Sequence, residues 1–240
     1  MNLILFEEEE LNSDLLYTDT RAIHIRDILH LKEGDDFAAG IIGGLRGRAK
    51  LMSRGDSGWK FVFTALEESP PLLPLTLILG CPRPPVAKRL LKDMSTLGLR
   101  EFRVCSTDLN EKSYLGSKLW CEGLWRTALI DGAVQGGSTL IPAVRTGSSL
   151  ECVLDDLPPG AKKIALDNDE GIRRFGLWNS AADYSSAVLA IGPERGWSRR
   201  ERNIFDSLGF FRLHLGKRIL RTETACSAGA ALILESMGYF

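Results

Sequence analysis

The sequence predicts an α/β protein in which a small β-barrel-like domain precedes a larger domain built on a mostly parallel sheet. Residues 1–70 hold short apolar runs separated by seven glycines, a pattern typical of strands joined by tight turns. Residues 74–240 instead alternate strand-length apolar runs with segments of helical period, which favours a parallel sheet covered by helices. The proline-rich segment 69–74 lies between the two patterns and has the composition of a stiff linker. We therefore predict two domains, residues 1–70 and residues 74–240.

The composition is that of an ordinary globular protein and does not by itself identify a partner. Hydrophobic residues make up 44% of the 240 residues and charged residues 25%, which suffices for two modest domains with substantial cores. The 30 lysines and arginines are balanced by 31 acidic residues, so the net charge neither predicts nor excludes nucleic-acid binding. The segment 194–224 is locally basic, with eight lysines and arginines against four acids. That excess fits either a solvated face or an anionic ligand.

The cysteine and hydropathy patterns predict a cytoplasmic protein with reduced thiols. Five cysteines are dispersed along the chain without a close pair, and no spacing of His and Cys matches a metal site. Met1–Phe6 is too short for the apolar core of a signal peptide, and no apolar run approaches the length of a membrane span. We therefore expect neither a membrane partner nor a bound metal.

The expected elements of the first domain surround a basic hairpin. Ala22–Leu31 has the pattern of a helical turn or two, whereas Phe37–Ile42 and Trp59–Leu66 have the pattern of strands. Basic and aromatic residues together suit an RNA backbone, although an ordinary charged hairpin has the same composition. The basic residues of this hairpin are Arg46, Arg48, Lys50, Arg54 and Lys60.

The second domain begins with an alternation of strands and helices. Gly98 follows the first helix, at the position of a left-handed C-terminal cap. Strands are predicted over Leu75–Cys81, Glu101–Ser106, Lys163–Asp167 and Ser186–Ile191. Helices are predicted over Val86–Leu97, Ser117–Val134 and Ser148–Leu157.

A tight turn and a capped helix are predicted after the strand that ends at Ile191. Gly192 and Pro193 end that strand, because glycine permits unusual dihedral angles and proline cannot donate to a β-ladder. Ser198 and Glu201 have the spacing of a capping box, which predicts the start of a helix there. The buried stripe and the C-terminal cap of this helix are expected at Ile204, Phe205, Leu208 and Gly209.

A half-buried strand and a second glycine turn follow. Phe211, Leu213 and Leu215 alternate with polar residues and are therefore expected to face the core. The strand leads into a turn that contains Gly216 and then into a last helix. Two strands thus end in two glycine-containing turns about one helix apart. Because ligands of open α/β sheets bind at the carboxyl ends of strands, these two turns are the candidate site.

The two turns resemble a known pair of sequence motifs. The stretch IGPERGWS (191–198) together with LGKRILRTETA (215–225) is similar to the paired signature of the SPOUT superfamily of RNA methyltransferases. Within it, the similarity is greatest to the family that methylates N3 of a uridine in small-subunit ribosomal RNA. The resemblance implies an S-adenosyl-L-methionine cofactor, a PUA-like domain at residues 1–70 and a SPOUT domain with a trefoil knot at residues 74–240. It also implies a homodimer that acts on small-subunit ribosomal RNA or on a ribosomal particle.

By the same resemblance, the two turns would hold the cofactor. Glycines expose the backbone, and small or apolar residues allow an adenosine to approach closely. The sequence departs from the family pattern at Arg195, where a glycine is usual, and at Ser138, where an arginine is expected. The cofactor-binding positions carried over are Ile191, Gly192, Pro193, Glu194, Gly196, Leu215, Gly216, Ile219, Leu220 and Thr222.

The implied reaction needs a base and a cation near the target nitrogen. Uridine N3–H is a weak acid that must lose its proton before or during attack, and a cation beside the resulting oxyanion lowers that cost. Arg221 is the candidate cation, and Glu223 or Glu194 is the candidate base. Structural roles compete with this assignment, because Arg221 can pair with Glu223 and either glutamate can stabilise a helix N-terminus.

Two alternatives to this function stay open at the level of sequence. A methyltransferase with a different target nucleotide is one, because serine at position 138 does not replace the bidentate contacts of an arginine. A catalytically inactive RNA- or ribosome-binding protein of the same fold is the other, with Arg195 blocking the cofactor turn. Motifs for a phosphate loop, a nucleophile elbow, a zinc helix or a CxxC pair are absent from the sequence. RNA-binding positions are predicted at Arg46, Arg48, Lys50, Lys88 and Gln135.

Overall fold

The computed structural model describes residues 3–169, 172–177 and 184–240. Contacts between Cα positions divide the chain into two units. The first unit comprises Met1–Pro71 together with Ile130–Ile141. The second comprises Leu72–Leu129 together with Pro142–Phe240. The short segment 130–141 therefore belongs with the N-terminal part of the chain, although it lies far along the sequence.

The first unit is built on a five-stranded sheet. In chain order its elements are β1 (Ile4–Phe6), β2 (Leu15–Leu16), the helix α1 (Thr20–Asp27), β3 (Asp36–Ile41), β4 (Arg46–Arg54) and β5 (Gly58–Glu67). The strand order is β1-β3-β4-β5-β2, and neighbours are antiparallel except for the parallel pair β1 and β3. Apolar residues alternate with exposed ones along β4, so one face of the sheet is left for a core. That core centres on the aromatic residues Phe6, Phe37, Trp59 and Phe61.

The sequence predicted the longer elements of this unit and missed the shortest ones. The helix and the strands expected at Phe37–Ile42 and Trp59–Leu66 are present. The helix ends earlier than expected, at Asp27. A helix through Leu31 is not possible because His30 takes a positive φ of 53°. The strands β1 and β2 have three and two residues, which is too short for a periodic signal.

The second unit contains a seven-stranded sheet in which every pair of neighbouring strands is parallel. The expectation of an α/β fold with a parallel sheet is therefore confirmed. Its elements in chain order are β6 (Leu73–Gly80), α2 (Pro84–Thr96), β7 (Leu99–Cys105), α3 (Lys118–Cys121), α4 (Trp125–Gly136), β8 (Ala143–Gly147), α5 (Leu150–Leu154), β9 (Lys162–Leu166), β10 (Arg173–Arg174), β11 (Ala187–Ile191), α6 (Arg199–Ser207), β12 (Phe211–His214) and α7 (Thr222–Ser236). The strand order is β10-β12-β9-β11-β6-β7-β8, and the last turns of α4 belong to the first unit.

Helix ends marked by glycine or by a capping box were predicted well. Gly98 and Gly209 take φ values of 78° and 72° after α2 and α6, as a left-handed cap requires. Ser198 and Glu201 form the expected capping box, in which each side chain accepts from the other residue's backbone N–H. These motifs act over three or four residues, so neighbouring residues alone suffice to predict them.

Two local predictions in the second unit are wrong, those for the side chains of Leu208 and Phe211. The helical region expected at Ser117–Val134 consists of two helices, which Gly123 separates with a positive φ of 71°. Leu208 is 41% exposed, since α6 has already ended and this residue is its C-cap. Phe211 is 42% exposed and does not enter the core; its ring lies 4.5 Å from the ammonium of Lys162. No helix within the described residues is both long and apolar enough to cross a membrane.

Candidate functional site

The carboxyl ends of β9, β11 and β12 border a cavity of about 720 Å³. That volume lies in the range of small-molecule and cofactor sites. The turn after β11, residues 192–197, forms one side, and the turn after β12, residues 215–221, forms another. Residues at the start of α2 and α7 complete the lining. The structure thus brings together the two turns that the sequence singled out.

The first turn closes on itself through glycine. The N–H of Gly196 donates to the carbonyl of Pro193 at 2.8 Å, and Gly196 takes the positive φ of the turn, 72°. A Cβ on Gly192 would lie 3.1 Å from the Cα of Gly196, so the turn needs glycine at both positions. Arg195 is not among the residues with positive φ, and its exposed side chain fits the turn without backbone strain.

Gly80, which sequence reasoning missed, sets the position of this turn. It is the last residue of β6, beside β11 in the sheet. A Cβ at Gly80 would lie 2.5 Å from the Cδ of Pro193 and 2.9 Å from its backbone nitrogen. Any side chain would therefore displace the turn. A glycine at the end of an apolar strand often marks a close backbone approach, which is the signal that could have identified it.

Two buried side chains, Trp197 and Glu201, anchor the same turn and were not predicted as parts of the site. The indole Nε1 of Trp197 donates to the carbonyl of Leu166 at the end of β9, at 3.0 Å. The fully buried carboxylate of Glu201 accepts from the backbone N–H of Ser198 at 2.8 Å and of Asp108 at 2.9 Å. Charge-assisted hydrogen bonds to backbone donors are strong, so these contacts fix the turn against two neighbouring strand ends.

The second turn lines the cavity with Leu215 and with residues 218–221. Gly216 has a φ of 134°, and its N–H donates to Nδ1 of His214 at 3.1 Å. Between Lys217 and Leu220, no main-chain group has a hydrogen-bond partner in the part of the chain that the structure describes. Lys217, Arg218 and Ile219 are exposed, so the main-chain groups of this stretch are accessible to the donors and acceptors of a ligand.

All three predicted catalytic side chains line the cavity. Arg221 is exposed and precedes α7 as its N-cap, although its side chain caps nothing. The carboxylate of Glu223 pairs with Arg89 of α2 at 3.2 Å rather than with Arg221. The carboxylate of Glu194 accepts from the backbone N–H at the start of α2 at 3.3 Å, as its competing structural role predicted.

A buried ion-pair cluster next to the cavity was also missed. Asp167 follows β9, its side chain is 2% exposed, and it accepts two hydrogen bonds from Arg202, at 2.8 and 3.0 Å. Arg212 of β12 donates to the same carboxylate at 3.2 Å. The hydrogen bond to Asp167 is the main reason that the pKa of Arg202 is raised. The cluster ties the end of β9 to α6 and β12, and both Asp167 and Arg202 face the cavity.

The predicted RNA-binding residues have different surroundings. Arg48 and Lys50 are exposed on the outer face of β4. Arg46 is engaged within the first unit, where its guanidinium donates to the carbonyl of Gly137 at 3.2 Å and pairs with Glu67 at 3.0 Å. Gln135 on α4 and Lys88 on α2 are both exposed, and Lys88 does not line the cavity.

The residues that the structure describes supply neither a metal centre nor a reactive thiol at the cavity. The described residues contain no group of three or more His, Cys, Asp or Glu side chains that could hold a metal ion. Cys81, Cys105 and Cys226 are buried, and burial raises the pKa of Cys81 to about 12. A thiol with so high a pKa stays protonated and is a poor nucleophile at neutral pH.

Comparison with known proteins places the chain in a family. Residues 68–234 match the model of the RNA methyltransferase domain. The chain is 37% identical to the ribosomal RNA small subunit methyltransferase E of Treponema pallidum, over 98% of this chain and 91% of that protein. It is 31% identical to the ribosomal RNA small subunit methyltransferase E 1 of Borreliella burgdorferi, over 99% of both proteins.

Solved structures share the fold at lower sequence identity. The Neisseria gonorrhoeae ribosomal RNA small subunit methyltransferase E bound to S-adenosyl methionine has a TM-score of 0.74, with 22% identity over 98% of this chain and 97% of that one. A probable rRNA-methyltransferase from Porphyromonas gingivalis has a TM-score of 0.79, with 20% identity over 98% of each chain. The resemblance carried by residues 191–198 and 215–225 is confirmed, and the chain belongs to the RNA methyltransferase family that includes the small-subunit ribosomal RNA methyltransferases E.

Proposed function

We propose that this protein methylates N3 of a uridine in small-subunit ribosomal RNA, with S-adenosyl-L-methionine as the methyl donor. One observation carries the proposal: the two family motifs, 191–198 and 215–225, form the walls of a single cavity of about 720 Å³. Family membership supports ribosomal RNA methylation in general, and the resemblance in these motifs supports uridine N3 in particular.

The residues of the cavity fit the proposed cofactor. Its aminoacyl and ribose parts are polar, whereas its adenine has a flat apolar face and a hydrogen-bonding edge. Apolar side chains of Ile191, Leu215 and Leu220 are available for the face. The unpartnered main-chain groups between Lys217 and Leu220 are available for the edge, and Glu194 is available for a positive group. We assign cofactor binding to Ile191, Gly192, Pro193, Glu194, Gly196, Leu215, Gly216, Ile219, Leu220 and Thr222.

The reaction requires little apparatus from the protein beyond positioning. The cofactor supplies an electrophilic methyl group on a sulfonium, and the neutral thioether is the leaving group. The chain must hold the uridine in line with that methyl group and favour loss of the N3 proton. Arg221, which no described carboxylate neutralises, stabilises the charge that develops on the uridine carbonyl oxygens.

The base in this scheme is Glu194 or Glu223. Both carboxylates line the cavity, and each has one hydrogen-bond partner, the start of α2 for Glu194 and Arg89 for Glu223. A carboxylate oxygen accepts more than one hydrogen bond, so either group can also take a proton from the target base. Of the two variants Glu194→Gln and Glu223→Gln, the one that removes the base should therefore show the larger decrease in turnover number.

In the same proposal, the first unit is a PUA-like domain, and its exposed basic residues hold RNA. The end of the second unit threads into a trefoil knot. The proposed RNA-binding residues are Arg46, Arg48, Lys50, Lys88 and Gln135, of which all but Arg46 are exposed. Arg46 is half-buried, and its guanidinium also donates to the carbonyl of Gly137. The fold similarity to ribosomal RNA methyltransferases over 98% of the chain supports this arrangement. The domain boundary is proposed at residues 70–74, and the protein acts in the cytoplasm.

The protein is proposed to act as a homodimer through α7. Along this helix Ala225, Ala228 and Ala231 are half-buried and Leu232 is 43% exposed, so a second copy can pack closely there. Sedimentation equilibrium tests this directly. A dimer that Leu232→Glu dissociates supports the assignment, and a monomeric wild-type protein contradicts it.

Calorimetric titration with S-adenosyl-L-methionine is the first test of the proposed function. Saturable binding at about one site per chain is expected. Mapping of the methylated position on small-subunit ribosomal RNA then identifies the nucleotide. Methylation of a base other than uridine supports the alternative of a different target, and binding of RNA without cofactor affinity or turnover supports the inactive RNA-binding alternative.

A further inference from the structure

The cavity has more arginines than its carboxylates neutralise. Six arginines and three carboxylates line it. Arg202 pairs with Asp167 at 2.8 Å, and Arg89 pairs with Glu223 at 3.2 Å. The remaining arginine side chains form no ion pair or hydrogen bond with any residue that the structure describes. These four are Arg83, Arg195, Arg218 and Arg221.

Arg195 has no structural role that explains an arginine at its position. The positive φ of its turn belongs to Gly196, so the backbone does not depend on residue 195. Its side chain is exposed and contributes nothing to the buried core beside the turn, which Trp197 and Phe205 form. The neighbouring Glu194 accepts from the start of α2 and leaves the Arg195 charge unpaired. A flexible cation without a packing or pairing partner, at the edge of a ligand cavity, is available for an anionic ligand.

We propose that Arg195 binds a phosphate of the substrate RNA at the mouth of the cavity and so determines where the RNA strand enters. This inference rests on the proposed function, because RNA is the polyanion which that function supplies. A guanidinium makes two parallel hydrogen bonds to phosphate, and this geometry fixes position as well as providing affinity. Arg83 and Arg218, also unpaired on the cavity lining, supply further positive charge along the same strand.

The cofactor is the other source of an anion, because its aminoacyl part carries a carboxylate. Charge argues against that assignment, because four unpaired arginines exceed what one carboxylate can neutralise. Arg195 is also exposed, whereas Ile191, Gly192, Pro193 and Trp197 around it are buried. An exposed guanidinium at the edge of the cavity is accessible to a large polyanion such as RNA, which offers a phosphate to each unpaired arginine.

The test measures RNA binding without cofactor and cofactor binding without RNA. Binding of a small-subunit ribosomal RNA transcript is titrated at salt concentrations from about 50 to about 200 mM. The variants are Arg195→Ala, Arg195→Lys and a matched control, Arg199→Ala. Arg199 is an exposed arginine four residues along the chain that does not line the cavity. Cofactor affinity is measured by calorimetry on the same proteins.

For Arg195→Ala we expect RNA affinity about three- to tenfold weaker and a slope of log K against log salt that is shallower by about one. Arg195→Lys should keep the slope but not the full affinity, since lysine retains the charge without the bidentate geometry. Arg199→Ala should resemble the wild-type protein, and cofactor affinity should be unchanged in all variants.

The possible outcomes test the Arg195–phosphate contact independently of the proposed methyltransferase function. An Arg195→Ala slope and affinity equal to those of Arg199→Ala overturn it. Loss of cofactor affinity in Arg195→Ala with unchanged RNA binding overturns it in favour of a carboxylate contact. A wild-type protein that binds no cofactor but shows the expected Arg195 effect on the salt slope refutes the proposed enzyme and supports the phosphate contact.

Discussion

At the scale of single residues, Arg221 has an exposed side chain that lies on the cavity wall and has no partner among the described residues. Its side chain does not cap α7, and it forms no ion pair with a described carboxylate. Replacement by alanine should therefore leave the fold intact. We predict that Arg221→Ala lowers the turnover number by about 10²-fold, the usual effect of removing one donor from a developing oxyanion. The measurement is transfer of a labelled methyl group to ribosomal RNA under saturating substrates.

Lys217 offers the matched control for that experiment. It is an exposed cation in the same turn, but it does not line the cavity. Lys217→Ala should keep its turnover number within about twofold of the wild-type value, as expected for a residue that makes no transition-state contact. An Arg221→Ala variant with the turnover number of Lys217→Ala would remove Arg221 from the mechanism.

A substitution at Gly80 tests whether cofactor binding requires the observed position of the turn after β11. A Cβ at this position meets Pro193 at 2.5 Å, and one of the contacted atoms is backbone nitrogen, which a rotamer change cannot relieve. We predict that Gly80→Ala costs about 1–3 kcal/mol of folding stability through overpacking. Because the displaced turn is a cavity wall, cofactor affinity should fall by more than about tenfold, as a misplaced site loses several contacts at once.

Gly116→Ala is the comparison for Gly80→Ala. A Cβ at Gly116 would lie 3.6 Å from its nearest neighbour, an ordinary van der Waals distance, and Gly116 does not have a positive φ. This variant should bind cofactor like the wild-type protein. Equal cofactor affinities for the two variants would mean that the turn moves freely and that its position does not define the site.

At the scale of elements, Arg21 joins three segments of the first unit. Its guanidinium pairs with Glu10 of the turn 8–12 at 2.6 Å and with Asp19 before α1 at 2.7 Å, and it donates to the carbonyl of Leu5 in β1 at 3.0 Å. The hydrogen bond from Arg21 lowers the pKa of both carboxyl groups. A carboxyl group whose folded pKa is depressed stabilises the fold above its unfolded pKa, and that contribution is lost as pH falls through the folded pKa.

A pH-dependent stability measurement follows from this cluster. Glu10→Gln should lower the free energy of unfolding by about 1 kcal/mol near pH 7, a modest value because the pair is partly exposed and screened. The difference from wild type should shrink below about pH 4, where the wild-type carboxyl also becomes protonated. Urea unfolding at several pH values measures it, with the exposed Glu9→Gln as control. A Glu10→Gln effect that does not change with pH contradicts the ion-pair explanation.

The elements also show which parts of the fold could be predicted from the sequence. The capping box of Ser198 and Glu201 and the cap at Gly98 are local, and both were predicted correctly. Local patterns did not reveal that Glu201 also binds the backbone of Asp108, because that contact joins residues 93 positions apart. The close approach of Gly80 to Pro193 was missed for the same reason. Pairwise contacts across the sheet depend on strand order, and periodicity does not report strand order.

At the scale of the whole molecule, the site is assembled from distant parts of the sequence. The cavity takes its lining from four stretches, residues 83–89, 166–168, 191–202 and 215–225. The last two were predicted, because glycine turns after strands and the family resemblance marked them. The first two carry no local motif, so Asp167 and Arg89 enter the site only through the parallel order β12-β9-β11-β6. This explains why the cofactor turns were predictable and the ion pairs around them were not.

The segment 130–141 makes the first unit discontinuous in sequence. Ala133 is fully buried in a cluster with Leu3 and Leu5 of the N-terminal strand region. Thr139 accepts at its carbonyl from the N–H of Gly43 at 2.8 Å, and its own N–H donates to Ser69 at 2.9 Å. Cutting the chain after Pro71 therefore removes apolar cover and hydrogen bonds that residues 1–71 cannot replace.

We predict that a fragment of residues 1–71 is less stable than the same fragment joined to residues 130–141 by a flexible linker. The difference should be about 2–4 kcal/mol, the usual cost of uncovering several core side chains. Urea unfolding of the two fragments measures it. Placing Ala133→Asp in the joined fragment should reverse the gain, because it puts a charge into the cluster with Leu3 and Leu5. Equal stability of the two fragments would show that residues 1–71 fold without this cover and that the linker at 69–74 is a true domain boundary.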